Sequence, residues 1–264
     1  MVASFFSSLP AWLLFIIIVG GSMGIVYGCT VYVRSRTKPL VRNGVHNEIA
    51  GFFFSIVGVV YAVLLAFLIV SVWDNFNLAD LATTQEAADI VTVARDTIYL
   101  PEPIRSEAHN QLRRYVELVI SQDWNNNVPV GQGDTLGSPA ATAAFNGLWP
   151  IYQQLPANAD YANALRSLDN LSTHRFQRLM SSKEDLPRPF WAVLLLGGAI
   201  TIYFGLLFYV EDAKLHRFML VLLTSLMASC VWLIVVINNP YVGDLRVSPE
   251  AMKYALHVID SIPR

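Results

Sequence analysis

Four stretches of this chain are apolar at almost every position: Ala11–Val33, Ile49–Trp73, Pro189–Val210 and Phe218–Ile237. None of them contains Asp, Glu, Lys, Arg or His. Crossing the hydrocarbon core of a bilayer takes about 20 mostly apolar helical residues, and each stretch meets that length. The runs are continuous rather than alternating, so they read as helices and not as strands of a barrel. The first has no basic residue before it and is long for a cleavable signal core, which marks it as a retained span.

Between the second and third spans lies a polar insert, residues 74–188, with helical rather than period-2 patterning. No breaker separates the second span from Asp74–Leu100, so one helix is expected to continue well past Trp73. Pro101 and Pro103 stop it, and Pro103 suits the first turn of a helix over Ile104–Gln122 with Leu112, Val116, Val119 and Ile120 on one face. Asn125–Pro139 is a Gly/Pro/Asn loop, with Gly131-Gln132-Gly133 as punctuation. Further helices are expected over Ala140–Leu155 and Asp160–Ser182, before a Pro187-Arg188-Pro189 hinge. The expected fold is all-α: an integral membrane protein with four transmembrane helices and a helical extramembrane insert. Its parts are 1–73 (first two spans), 74–188 (insert, continuous with the second span), 189–238 (last two spans) and 239–264 (C-terminal amphipathic segment).

Composition agrees. Of the 264 residues 54% are hydrophobic and only 14% charged, where a soluble domain carries about a quarter charged residues. A formal net charge of −2 provides no electrostatic case for nucleic acid. The loop after the first span carries Arg34, Arg36, Lys38 and Arg42 against Glu48, and the loop Glu211–Arg217 carries Lys214 and Arg217 against Glu211 and Asp212. The insert holds 9 basic and 14 acidic residues. By the positive-inside rule both short loops are cytoplasmic, with both termini and the insert outside.

Tests for chemistry fail. The five histidines (His46, His109, His174, His216 and His257) lack metal-ligand spacing, and Cys29 and Cys230 sit inside spans. There is no nucleophile elbow, phosphate loop or dinucleotide fingerprint. The Arg113-Arg114 and Arg175/Arg178 pairs read as solvated faces or ion pairs, and Glu86/Asp89 as a solvated face. No cofactor, metal site or catalytic activity is expected. Ion-coupled transport usually needs ionisable groups at mid-membrane depth, and the spans offer none. A passive pore with an apolar constriction remains open to them.

The second span carries the most information. Gly51, Ser55, Gly58, Ala62 and Ala66 form a ridge of small residues at spacings of four, three, four and four. Such a ridge permits close helix approach, either among the four spans of one chain or between copies around an axis. Val59, Val63 and Phe67 form an i, i+4, i+8 stripe about 12 Å long. On spacing alone, such a stripe faces lipid or core more often than a pore.

Ser55–Ala79, SIVGVVYAVLLAFLIVSVWDNFNLA, resembles the second membrane helix of bacterial bestrophins in its Ser-x-x-Gly run, its small residue before Phe and its aromatic-Asp pair. Here these are Ser55, Gly58, Ala66, Phe67, Trp73 and Asp74. Asn239–Asp244 (NPYVGD) followed by Leu245–Ile262 looks like the segment and amphipathic helix that close the bestrophin fold. The nearest resemblance is to the bestrophin-like family, through Trp73–Ala88 with its Glu86-Ala87 and through NPYVGDLRVSPEA. It implies a homo-oligomer, pentameric in bestrophins, in which Val59, Val63 and Phe67 form the hydrophobic neck of an ion pore. Three features depart. Leu68 and Ile69 stand where bestrophins carry Arg and Asn, Asn75-Phe76-Asn77 replaces their Arg-Trp-Trp, and the calcium-binding acidic run of animal bestrophins is missing. Bestrophins also keep the insert in the cytosol, opposite to the charge count.

The leading expectation is therefore a passive ion channel of a bacterial inner membrane, with the lipid bilayer, further copies of itself and small inorganic ions as partners. The alternative is a non-conducting scaffold whose insert binds a partner. Asp74 and Asp80 are pore-mouth candidates that would favour cations as rings; surface acids more often pair with cations such as Arg95, Arg175 or Arg178.

Overall fold

The computed structural model describes residues 9–36, 44–124, 137–155, 159–182, 186–208 and 210–262. Every regular element among them is helical. Lys38, Arg42 and Gly131-Gln132-Gly133 lie outside the described residues. The chain divides into two units. One collects described residues of Leu9–Trp73 and Asp185–Asn238, the other those of Asp74–Glu184 and Asn239–Arg264.

The first unit holds the apolar helices. Helix α1 runs through Ala11–Phe15, a π-helical stretch Ile16–Gly20 and Gly21–Arg36. Helix α2 is unbroken over Gly44–Asp96, 53 residues without a proline. Helices α7 (Arg188–Leu206) and α8 (Ala213–Ile237) complete the set. All four are long and apolar enough to cross a membrane. The chain enters α7 at Pro187, with Pro189 in the first turn, where a missing N–H costs nothing. Asp212 caps α8 by accepting from the Lys214 and Leu215 amides.

Packing follows small residues. Close approach of α7 and α8 occurs at Gly205, where a Cβ would stand 2.5 Å from Leu220 Cδ2. At the same place His216 Nε2 lies 3.1 Å from the Gly205 carbonyl. Helix α1 is tied to α8 by the Trp232 indole, which donates to the Ala11 carbonyl at 3.0 Å, while Phe15 meets the Trp232 ring edge-on. Tyr61, Leu65, Leu68 and Val72 of α2 are buried with Leu194, Met227 and Ile234.

The second unit is organised around α3 (Ile104–Leu118), continued by a π-helical turn Val119–Asp123. Its buried face, Ile104, Ala108, Leu112, Tyr115 and Val116, packs with α4 (Pro139–Asn146), α5 (Leu148–Tyr152) and α9 (Glu250–Ser261). The expected single helix over Ala140–Leu155 is thus two, broken at Gly147, where a Cβ would meet Gln111 Nε2 at 2.4 Å. That amide needs the space because it donates to the Ala144 carbonyl at 2.7 Å. Helix α6 spans Ala159–Ser181, close to expectation. Met252, Ala255 and Ile259 form the buried face of α9. This helix is fastened to α3 by Arg113 on Asp260 (2.7 Å) and by His109 Nε2 at the Ile259 carbonyl (2.9 Å).

Tyr152 is fully buried and its hydroxyl has no hydrogen-bond partner among the described residues. Burial, with Asp96 nearby, pushes its pKa upward. Removing an orphaned buried hydroxyl is nearly neutral or stabilising, so Tyr152→Phe is expected to equal or exceed wild type by up to about 1 kcal/mol in denaturation of the detergent-solubilised protein. A phenol whose folded pKa is raised contributes stability below its unfolded value, near 10, and that contribution is lost as pH rises past it. The same measurement at alkaline pH is therefore expected to show a smaller stability loss in Tyr152→Phe than in wild type.

Candidate functional site

The residues expected to matter on the second span all lie on α2, and its two faces differ. Val59, Val63 and Phe67 are each 64% exposed, while Tyr61, Leu65, Leu68 and Val72 on the other side are buried. Among the ridge residues, Gly51 meets the Phe208 ring, where a Cβ would lie 3.7 Å away. Gly58 has open space where a Cβ would stand, and Ser55, Ala62 and Ala66 are exposed. Beyond Gly51, then, the ridge is not filled by this chain's own spans.

Asp74 and Asp80 are both exposed, and neither makes an ion pair among the described residues. Their positions differ. Asp74 follows Phe67 by seven residues, about two turns further along the same face. Asp80 lies six residues beyond Asp74 and is turned about 120° away from it. Two of the three cations expected to neutralise them, Arg175 and Arg178, are engaged elsewhere. Arg175 donates to Thr142 Oγ1 at 2.8 Å and stacks over the Phe145 ring, and Arg178 is buried in a charged cluster.

That cluster overturns one expectation. Glu86, read as part of a solvated face, is 0% exposed, and Arg178 is 2% exposed. The Arg178 guanidinium binds both Glu86 oxygens and reaches Asp123 Oδ2 at 3.2 Å. Tyr115 donates its hydroxyl to Glu86, and the Ser138 amide donates to Asp123 Oδ1 at 3.1 Å. Burial works against the Arg178 charge, yet Glu86, Tyr115 and Asp123 together hold its pKa well above the ordinary value. Burial, then Glu86, raises that of Tyr115.

Similar polar rungs continue along α2 and α6. Asp89 is half-buried against His174. On the other side of the Glu86 rung, the Tyr241 hydroxyl donates to the Ala79 carbonyl at 2.9 Å, 3.1 Å from Thr83 Oγ1 and 3.4 Å from Ser181 Oγ. The Asn239–Val247 segment is fixed at the same place. Trp124 lies under the Arg178 guanidinium and donates to the Val247 carbonyl at 3.0 Å, while Arg246 donates back to the Trp124 carbonyl at 2.7 Å. Among the described residues no group of His, Cys, Asp and Glu could hold a metal ion.

The signal for the cluster was present in the sequence. Buried α2 positions recur every seven residues as Leu65, Val72, Ala79, Glu86 and Val93, and the one acidic member of an apolar series requires a partner. Arg178 stands in the matching series of α6 after Ala164, Leu168 and Leu171.

These features define an all-helical membrane protein with four apolar helices, the second of them extended into a polar helical unit. The chain belongs to the bestrophin-like family: the model of the bestrophin-like domain matches residues 6–252. Its fold is shared with a bacterial bestrophin homologue from Klebsiella pneumoniae solved as a leucine-to-threonine variant, with a TM-score of 0.69 at 15% identity over 94% of this chain and 98% of that one. A tryptophan-to-alanine variant of the Klebsiella pneumoniae homologue gives 0.68 at 14% identity over 95% and 96%. A structure described as a membrane protein with a proline-to-alanine substitution gives 0.68 at 14% over 92% and 97%. No curated protein matches the chain.

Removing one partner of a buried ion pair strands the other charge. Arg178→Ala is therefore expected to cost about 3–5 kcal/mol in the same denaturation measurement, with Arg178→Lys recovering only part because an ammonium cannot fork across two carboxylates.

Proposed function

We propose that this protein is a homo-oligomeric ion channel, pentameric as in bestrophins, in a bacterial inner membrane, with Val59, Val63 and Phe67 of α2 forming an apolar neck. The observation that carries this reading is the division of α2 into a face packed on its own chain and a neck face left bare. The small-residue ridge beside that face supports it, because Gly58, Ala62 and Ala66 leave room for the same helix of a neighbouring copy. The departure at Leu68 counts less against conduction than it did in the sequence. Leu68 is fully buried in the packed side of α2, away from the neck, and Ile69 packs partly against the same cluster. An apolar ring gates by excluding water until it widens. Asp74 continues the neck face and contributes a ring of negative charge that favours cations; Asp80, off that face, does not.

Ion flux into liposomes tests the reading, with wild type beside Val63→Ala and Phe67→Ala. Truncating the neck is expected to raise flux by about tenfold, equivalent to ~1.4 kcal/mol off the barrier. Silence from all three correctly inserted proteins, or a strictly monomeric particle in mild detergent, overturns the channel and favours the scaffold. Reversal potentials in a salt gradient are expected to lose cation preference in Asp74→Asn and to keep it in Asp80→Asn.

A further inference from the structure

The neck lies on a helix whose rotation must be set by something, and the packing of α2 holds one contact at the same level as the neck. Tyr61 is buried between Val59 and Val63 in sequence, and its ring lies in a notch made by two consecutive glycines of α7. A Cβ on Gly197 would stand 2.7 Å from Tyr61 Cδ2 and 2.9 Å from Cε2, and one on Gly198 would stand 2.9 Å from the hydroxyl oxygen. No side chain larger than hydrogen fits at either position unless the ring moves. The hydroxyl donates to the Leu194 carbonyl at 3.2 Å, which fixes the ring along the α7 axis as well as across it.

At about 100° per residue, Tyr61 stands about 160° from Val59 and from Val63, and about 120° from Phe67. The notch and the neck are therefore on nearly opposite sides of one helix. A displacement of the ring is carried straight through the backbone, because a helix within one packed set moves as a body rather than bending at a single residue. Leu65, Leu68 and Val72 share the buried side through apolar, non-directional contacts. Tyr61 alone of these combines a shape-matched seat with a directional hydrogen bond.

We propose that Tyr61, seated in the Gly197-Gly198 notch, is the positioning residue that sets the rotation of α2 and so the aperture of the neck. This rests on the assignment of Val59, Val63 and Phe67 as the neck.

Single-channel recording in planar bilayers tests it, because unitary conductance is a property of each assembled pore. A substitution that merely impairs folding lowers the number of channels and leaves unitary conductance unchanged. Gly197→Ala drives a methyl group into the ring, and Tyr61→Leu empties the seat; each is expected to change unitary conductance by about twofold or more. The double variant is expected to return toward wild type, since leucine leaves space for the methyl group. Tyr61→Phe keeps the ring in its seat but loses the bond to Leu194, and is expected to shift unitary conductance less than Tyr61→Leu. If Gly197→Ala does not fold, Tyr61→Leu, which only removes volume, carries the test. If only Phe67→Ala conducts, the comparison is made in that background. Unchanged unitary conductance in Tyr61→Leu, alongside a shifted Phe67→Ala, overturns the positioning role and leaves the neck intact. Unchanged conductance in Phe67→Ala, or no current from wild type and Phe67→Ala alike, overturns the neck and this inference with it.

Discussion

The constraint on which the rest of this structure depends is the continuity of α2. A helix of 53 residues without a break has a single rotational register, so its buried and bare sides cannot be chosen independently at its two ends. From Tyr61 to Val93 buried positions recur at three-, four- and seven-residue intervals, all on one side of the helix. That register determines what each remaining residue can do. Ala62 and Ala66 are exposed because they are off the buried side, and Glu86 is interior because it is on it.

The burial of Glu86 is costly in isolation. A carboxylate without water needs opposite charge and donors, and it receives both from Arg178 and Tyr115. Such clusters add little stability compared with well-packed apolar side chains, but they are intolerant of misalignment. Two carboxylates from different elements share one guanidinium, so α2, α6 and the turn after α3 have one mutually compatible arrangement.

Much of this was legible in the chain. The four spans are visible as runs free of ionisable residues, and the continuation of the second span past Trp73 follows from the absence of proline before Pro101. Helix α6 was found within a residue at each end, because its polar and apolar positions repeat with helical period. Gly147 hid a break, since a single glycine in an apolar segment does not reveal the Gln111 amide that it must accommodate. Glu86 was misread because helical spacing identifies which residues share a face but not whether that face is wet. The bare stripe of Val59, Val63 and Phe67 and the Tyr61 seat lie at the same limit: a stripe of Val and Phe looks alike against lipid, core or water, and a glycine pair declares its purpose only when the ring is seen in it.

The route of the chain through the polar unit has a consequence for synthesis. Residues 74–184 build most of that unit, but Tyr241, Arg246 and Val247, which engage Ala79 and Trp124, are encoded after the fourth apolar helix. A chain emerging from the ribosome therefore has to complete its last membrane segment before the charged interior formed by its middle third can be closed. Until that moment the Trp124 indole and the Ala79 carbonyl lack their final partners, and the nascent unit is recognisably unfinished to any factor that surveys exposed interior groups. Closure of the polar unit is thereby ordered in time: it waits on synthesis of the fourth apolar helix and of the segment that follows it.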